Sequence, residues 1–352
     1  MLIINATIPY WKDTPRMLTD YALYIENGVI RAIGPTEVLI YTYRDSPRLD
    51  AHSQWVLAGN ICTHTHFHHA LITGLVDDAD MPHAELPLSQ ALDNDALYWS
   101  ATLCAMDAIK RGTTTLFNFH TSPTTIEGSL ESIARAMKML GMRAVLTYSF
   151  NKSDALSPKV NAHAENERFA KLVGQYDRIA SGAQLGTKPA YIPRPVFSQL
   201  HTQVVSEIDT TLTIGAEGGK YDMWEEWRSA HRLFRQKGAV SPQDILQMGI
   251  VNNADLLMHA FPNQKFGDIA EGMTADIIFV DYHAHTAVHP QNIAWHLLYG
   301  IESWMVDTTI IGGEVVMRHR QLMALDEGNI LKEARAQSQK VWERYNALKQ
   351  PS

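Results

Sequence analysis

Val56-Leu57-Ala58-Gly59-Asn60-Ile61-Cys62-Thr63-His64-Thr65-His66 is an apolar run that closes in His-x-His. Read as one buried strand, its side chains alternate between two faces, so His64 and His66 leave the same face at the C-terminal end. Two imidazoles meeting there can hold one metal ion. Neutral His nitrogens are common ligands of zinc and related ions, and catalytic sites add a carboxylate and keep one position open for water. The plainer alternative is a pair of surface or core histidines. His68 and His69 follow on what reads as a loop, where solvation or contact with the metal would each account for them.

Downstream of this run the pattern alternates helix and strand. Asp95 to Arg111 carries apolar residues at helical spacing and stops at Gly112, and Thr113 to His120 follows as a β-branched strand. Ser129 to Leu140, stopped by Gly141, and the strand Arg143 to Tyr148 repeat the unit. Such alternation predicts a parallel sheet with helices outside it, and in such folds chemistry sits at the C-terminal ends of strands, where His66 and His120 both fall. After Phe150 the alternation fades. Asn161 to Gln175 reads as a helix, Arg178 to Pro195 as a Gly- and Pro-rich loop, and Thr211 to Ile214 as a strand running into Gly215-Ala216-Glu217. Helices follow over Trp224 to Gln236, Pro242 to His259 and Asn329 to Leu348.

The two ends are strand-rich. Leu2 to Ile4, Tyr21 to Ile25 and Val29 to Gly34, the last two joined across Asn27-Gly28, make hairpin-like patterns near the N-terminus. Ala275 to Asp281, Val306 to Ile311 and Glu314 to Met317 do so near the C-terminus. Neither patch is large enough to stand alone, and the two are expected to join as one small β-sandwich. This gives a composite β-sandwich domain of 1–55 with 267–323, an α/β domain of 56–266, and a C-terminal helix of 324–352.

Composition narrows the function. A 352-residue chain with 45% hydrophobic and 19% charged residues is ordinary for a folded protein, and its net charge of −8 without a basic stripe argues against nucleic acid as partner. Small molecules are the expected partners. Two cysteines, Cys62 and Cys104, are too few for a disulfide framework and fit a reducing compartment. No signal-like N-terminus and no long apolar run is present, so the reading is a cytoplasmic, unanchored protein. His283-Ala284-His285, the second His-x-His, follows a terminal strand and reads as solvated, while Trp224, Trp227 and Phe234 share helical spacing and read as core.

Taken in order, these blocks resemble the amidohydrolase superfamily, and within it the SsnA-type aminohydrolases related to deaminases and chlorohydrolases. The likeness rests on Leu57 to His66, on Gly112-Thr113-Thr114-Thr115 leading to His120-Thr121-Ser122-Pro123, on Gly215-Ala216-Glu217-Gly218 with Asp222-Met223-Trp224-Glu225-Glu226, and on Phe266 to Asp276. The resemblance implies an α/β fold with a (β/α)8 TIM-like barrel, and one divalent metal, zinc foremost with iron as the alternative. It implies a non-peptide carbon-nitrogen bond of a cyclic or amidine-like small molecule as target, attacked by metal-activated water. His64 and His66 would be the first two ligands, Glu217 the third ligand and catalytic base, and His120 a substrate contact.

Two departures from the family pattern stand out. A further His ligand and a proton-shuttling Glu are expected between the third and last strands, and neither is found. Phe150 and Leu212 are only 62 residues apart by number, and about four barrel strands can be counted, against a complete barrel of about 250 residues. The barrel is therefore expected to be incomplete. Position 217 is also Glu where the family has Asp, one methylene longer. The rival expectation is a catalytically inactive, internally deleted relative that serves as a binding or assembly subunit, as a homo-oligomer, most simply a dimer.

Overall fold

Gly59 splits the decisive run between two sheets. The computed structural model describes residues 1–75, 81–149, 159–182, 191–192, 212–216, 220–236 and 238–349. Five strands end with the first half of the run: Leu2–Tyr10 (β1), Arg16–Glu26 (β2), Val29–Pro35 (β3), Arg48–Asp50 (β4) and Trp55–Ala58 (β5). The second half, Asn60–Thr65 (β6), opens a parallel series with Thr113–His120 (β7), Arg143–Tyr148 (β8), Ile179–Ser181 (β9), Tyr191–Ile192 (β10) and Thr213–Ile214 (β11). Ile277–Val280 (β12), Val306–Ile311 (β13), Glu314–Arg318 (β14) and Gln321–Leu322 (β15) return to the first sheet. At the split, consecutive amides face different sheets: Gly59 N donates to Asp276 O at 2.9 Å and Asn60 N to Gly112 O at 2.9 Å. A Cβ on residue 59 would lie 2.2 Å from Thr114 Cγ2, so only glycine allows the crossing.

The terminal segments do meet. Their strands follow one hydrogen-bonded path, β15-β14-β13-β12-β5-β1-β2-β3 with β4 beside β1, rather than the two separate sheets expected of a sandwich. The junction is narrow, Thr7 opposite Trp55, but a shared apolar cluster reinforces it, with Ile3, Leu23 and Ile30 from one end and Ile277, Phe279 and Ile310 from the other. Burial of that cluster is what neither end could achieve alone.

The parallel part is longer than the sequence suggested. β6, β7, β8 and β9 form one ladder and β10 pairs with β11, giving six parallel strands among the described residues instead of about four. Both β9 and β10 lie inside the stretch read as loop. They are two or three residues long, too short for periodicity to register against flanking Gly and Pro. No strand pairing joins β9 to β10 among the described residues. β6 and β7 are buried along their whole length, as strands covered on both faces are.

Helices cover the outside. Asn94–Lys110 starts at Asp93, whose side chain accepts from Ala96 N at 2.9 Å, and is followed by Gly112 at φ +73°. At the start of Ser129–Met139, the buried Glu165 carboxylate accepts from Gly128 N and Leu130 N. The span Pro242 to Ala260 is not one regular helix. A π-helical stretch, Gln247–Asn252, sits between Pro242–Leu246 and Asn253–Ala260, with Gly249 packed on the Trp227 indole. Trp224, Trp227 and Phe234 are core, as their spacing predicts, and His283 is exposed. None of the described helices is long and apolar enough to cross a membrane.

One buried ion pair ties the parallel strands to the terminal sheet. Arg143, at the start of β8, reaches both carboxylate oxygens of Asp276 at 2.8 and 3.0 Å and lies against the Phe261 and Phe266 rings at 5.2 and 4.8 Å. Asp276 also accepts from Gly312 N at 2.6 Å. Removing one partner of such a pair leaves the other charge buried, at a cost of about 3–5 kcal/mol. Arg143→Ala is expected to lower the unfolding free energy by that order in urea titration, and Arg143→Lys to recover only part, because an ammonium cannot make the two-pronged contact.

Candidate metal centre

The end of β6 is gripped on both edges. On one side it pairs with β7. On the other, Thr63 Oγ1 donates to Ile214 O at 3.1 Å, and Ala216 N donates to His64 O at 2.8 Å. Asn253 closes this second edge: its Nδ2 donates to Ile61 O and Ile214 O at 2.6 and 2.8 Å, and its Oδ1 accepts from Ile214 N at 2.9 Å. A side-chain amide thus stands in for ladder bonds that β6 and β11 do not make. Gly215 is required by the same closeness, since a Cβ there would lie 2.5 Å from His64 N.

The two sequence-predicted histidines converge. His64 Nε2 and His66 Nε2 are 3.2 Å apart. Two nitrogens about 2.0–2.1 Å from one zinc, at a tetrahedral angle, are separated by about 3.3 Å, so the pair has the spacing of two ligands. Its chemistry is also set. His66 Nδ1 lies 2.7 Å from Phe119 O, and a carbonyl only accepts, so Nδ1 carries the proton and Nε2 keeps its lone pair. The His64 ring stacks on Phe119, centroids 4.7 Å apart. These donors fit a divalent metal.

Burial, then the nearby His68 and His69, push His66 down to about 3, against the smaller opposite pulls of Glu85 and the Phe119 carbonyl. The ring is neutral at pH 7, the form that binds metal. His120 lies at the end of β7 but is buried rather than at an open rim, with Nε2 2.8 Å from Ser122 Oγ. Because that hydroxyl donates to Thr125 O at 2.6 Å, it accepts from His120 Nε2–H, leaving Nδ1 as the ring's acceptor. Burial and the neighbouring His68 and His66 hold His120 well below the usual histidine range. Glu217 lies outside the described residues, as does His201, while His163 is exposed on the helix Lys159–Leu172.

His68 and His69 are not on an open loop. They sit on a single 3-10 turn, Phe67–Leu71, with His68 fully buried. Their partner is Glu85, which the sequence reading missed: His68 Nε2 and His69 Nε2 lie 2.9 and 3.0 Å from its two oxygens. Burial would raise the Glu85 carboxyl, but the facing histidines outweigh it and hold the group far below the carboxylate range. Nothing at 85 marks a site in sequence, because it stands 16 and 17 residues away on another helix, Met81–Gln90.

Residues 55–193 match the amidohydrolase family model. A 5-methylthioadenosine/S-adenosylhomocysteine deaminase from Pelotomaculum thermopropionicum is 23% identical over 430 positions, spanning 95% of this chain and 97% of the relative. A deaminase of the same name from Dictyoglomus thermophilum is 35% identical over 184 positions, 50% of this chain and 42% of the relative. Among solved structures, a zinc-bound adenosine deaminase from Xanthomonas campestris superposes with a TM-score of 0.74 at 17% identity, over 97% of this chain and 98% of the other. The zinc complex of atrazine chlorohydrolase from Arthrobacter aurescens gives 0.69 at 16%, over 96% and 99%. These neighbours share the amidohydrolase fold. A chain of 352 residues leaves at least 78 of the 430 aligned positions empty (430 less 352), so that many positions of the Pelotomaculum relative have no counterpart within this chain.

The depressed His66 gives a signed pH dependence. An unfolded histidine titrates near 6.5 and the folded one near 3, so between those values the unfolded chain binds more protons. Stability of the metal-free protein is expected to rise with pH through that window, and to fall as pH drops from about 6.5 toward 3. His66→Asn, which cannot titrate, should flatten the slope of unfolding free energy against pH by up to one proton. An unchanged slope would contradict the assignment.

Proposed function

We propose that this chain is a metal-dependent aminohydrolase that cleaves a non-peptide carbon-nitrogen bond of a small molecule, an adenosine-type amine being the first class to test. The family match and the deaminase relatives support the reaction class. The observation that carries the reading is the pair of Nε2 atoms 3.2 Å apart, one with its tautomer fixed by Phe119 O. His64 and His66 would hold one divalent ion, with zinc supported by the zinc-bound structural neighbours. When bound, such an ion supplies a Lewis acid that makes water reactive near neutral pH.

The remaining roles fall on this chain's own residues. Glu217 is assigned as third ligand and proton carrier; Ala216, the residue before it, bonds to the His64 carbonyl. His120 is assigned to orient substrate, with Ser122 fixing its tautomer and leaving Nδ1 as acceptor. The composite unit of 1–55 with 267–323 is read as a support that fixes the base of β6 through β5 and Gly59. The unit 56–266 carries the chemistry, and 324–352 braces it from outside.

A second reading has a specific observation behind it. At least 78 positions of the Pelotomaculum relative are missing from within this chain, which favours an inactive subunit that binds or assembles, as a dimer. Metal analysis and ammonia release on the same preparation separate the two. The enzyme reading expects ammonia from an adenosine-type substrate and bound metal, both lost on His64→Ala, and a drop of at least about 100-fold in rate on Glu217→Gln. Metal-free protein that forms a stable dimer and releases no ammonia from any of a panel of amino-purines and amidines would replace it with the second reading.

A further inference from the structure

We propose that His68, His69 and Glu85 form a second divalent-cation site, beside the His64–His66 pair and separate from it. The donor atoms converge: His68 Nε2, His69 Nε2 and a Glu85 oxygen all lie within 4.8 Å of one another, the one such group of three among the described residues. Two imidazoles with one carboxylate form a known catalytic zinc set, and imidazole also suits nickel, copper and iron. Donors of one tetrahedral ion stand about 3.3 Å apart. His68 Nε2 and His69 Nε2 lie 2.9 and 3.0 Å from the two different Glu85 oxygens, so whichever oxygen takes the ion needs its own contact to open by only a few tenths of an ångström, while the other ring moves in from within 4.8 Å.

The scaffold around these donors is fixed from three directions. Phe67 N donates to Asn118 Oδ1 at 3.2 Å, and Cys104 Sγ donates to Phe67 O at 3.4 Å, anchoring the start of the turn. Its end is held by the C-terminal helix Glu327–Lys349, from which Ser338 Oγ and Trp342 Nε1 both donate to Leu71 O, at 2.6 and 2.8 Å. Donors on a turn pinned at both ends lose little freedom when an ion arrives. His68 is enclosed, whereas the Glu85 side chain is 38% exposed, so the carboxylate side offers a path for an ion and room for water as further ligand.

The site is distinct from the first pair. The His66 ring centroid is 5.8 Å from that of His68 and 5.5 Å from that of His69, and neither His64 nor His66 joins the converging group. Ion binding requires both rings to present a lone pair at Nε2 and carry the proton on Nδ1. His68 Nδ1 has no hydrogen-bond partner among the described residues, so no donor fixes it in the opposite tautomer. Without an ion, the same three side chains form a clamp in which each Nε2–H donates to one Glu85 oxygen. The clamp alone is the competing account.

The test uses full-length protein stripped with chelator and titrated with Zn2+ by equilibrium dialysis, with Co2+ absorption as a second readout. In a His64→Ala/His66→Ala background the proposal expects about one equivalent to remain bound. Adding Glu85→Gln or, separately, His69→Asn should weaken that binding at least about tenfold. His69→Asn is the milder change and guards against misfolding, with cooperative thermal unfolding checked for each variant. No bound ion in the double-Ala background, or an affinity indifferent to both added changes, overturns the proposal and leaves the clamp. Failure of the His64–His66 reading shows separately, as wild-type protein whose metal content is untouched by His64→Ala.

Discussion

The bilateral grip on β6 is the constraint on which the rest depends. Its outer edge closes only because residue 215 has no Cβ and because Asn253 supplies amide bonds to Ile61 and Ile214. Its base crosses from the terminal sheet only because residue 59 is glycine. With both ends fixed, the alternation of a strand suffices to bring His64 and His66 together, and Phe119 on the neighbouring strand selects the proton position of one of them. Backbone packing, with the Asn253 side-chain amide closing one edge, sets the spacing of the two histidines.

That dependence explains why the terminal sheet and the parallel strands are bound so closely. The Arg143–Asp276 pair, enclosed by two phenylalanines, joins β8 to the residue whose carbonyl holds Gly59. The buried pair gains little net stability against an apolar substitute, but it has one correct geometry. The C-terminal helix acts in the same sense on the other side, where Ser338 and Trp342 hold the turn that carries His68 and His69.

Much of this was legible in the sequence where elements are long and amphipathic. The strands Thr113–His120 and Arg143–Tyr148 lie where the Gly-terminated helix-strand pattern placed them, because Gly112 and Gly141 take positive φ at the helix ends. The His-x-His pair converges as alternation requires. Less legible was the split at Gly59, since an apolar run looks the same whether it serves one sheet or two. β9 and β10 were missed because strands of two or three residues carry no period. Glu85 was missed because its role exists only in three dimensions, across the gap between a 3-10 turn and a helix. Glu217 remains a reading of the sequence, beyond the described residues.

The central claim is that the His64 and His66 Nε2 atoms face each other with His66 protonated on Nδ1. Nitrogen-15 NMR of the histidine side chains in metal-free protein, followed through a zinc titration, addresses it most directly. The account predicts a neutral His66 ring with its proton on Nδ1 at pH 7, and a zinc-induced shift confined to the ε2 nitrogen in both His64 and His66. A proton found on His66 Nε2, or zinc that leaves both rings unshifted, would contradict it.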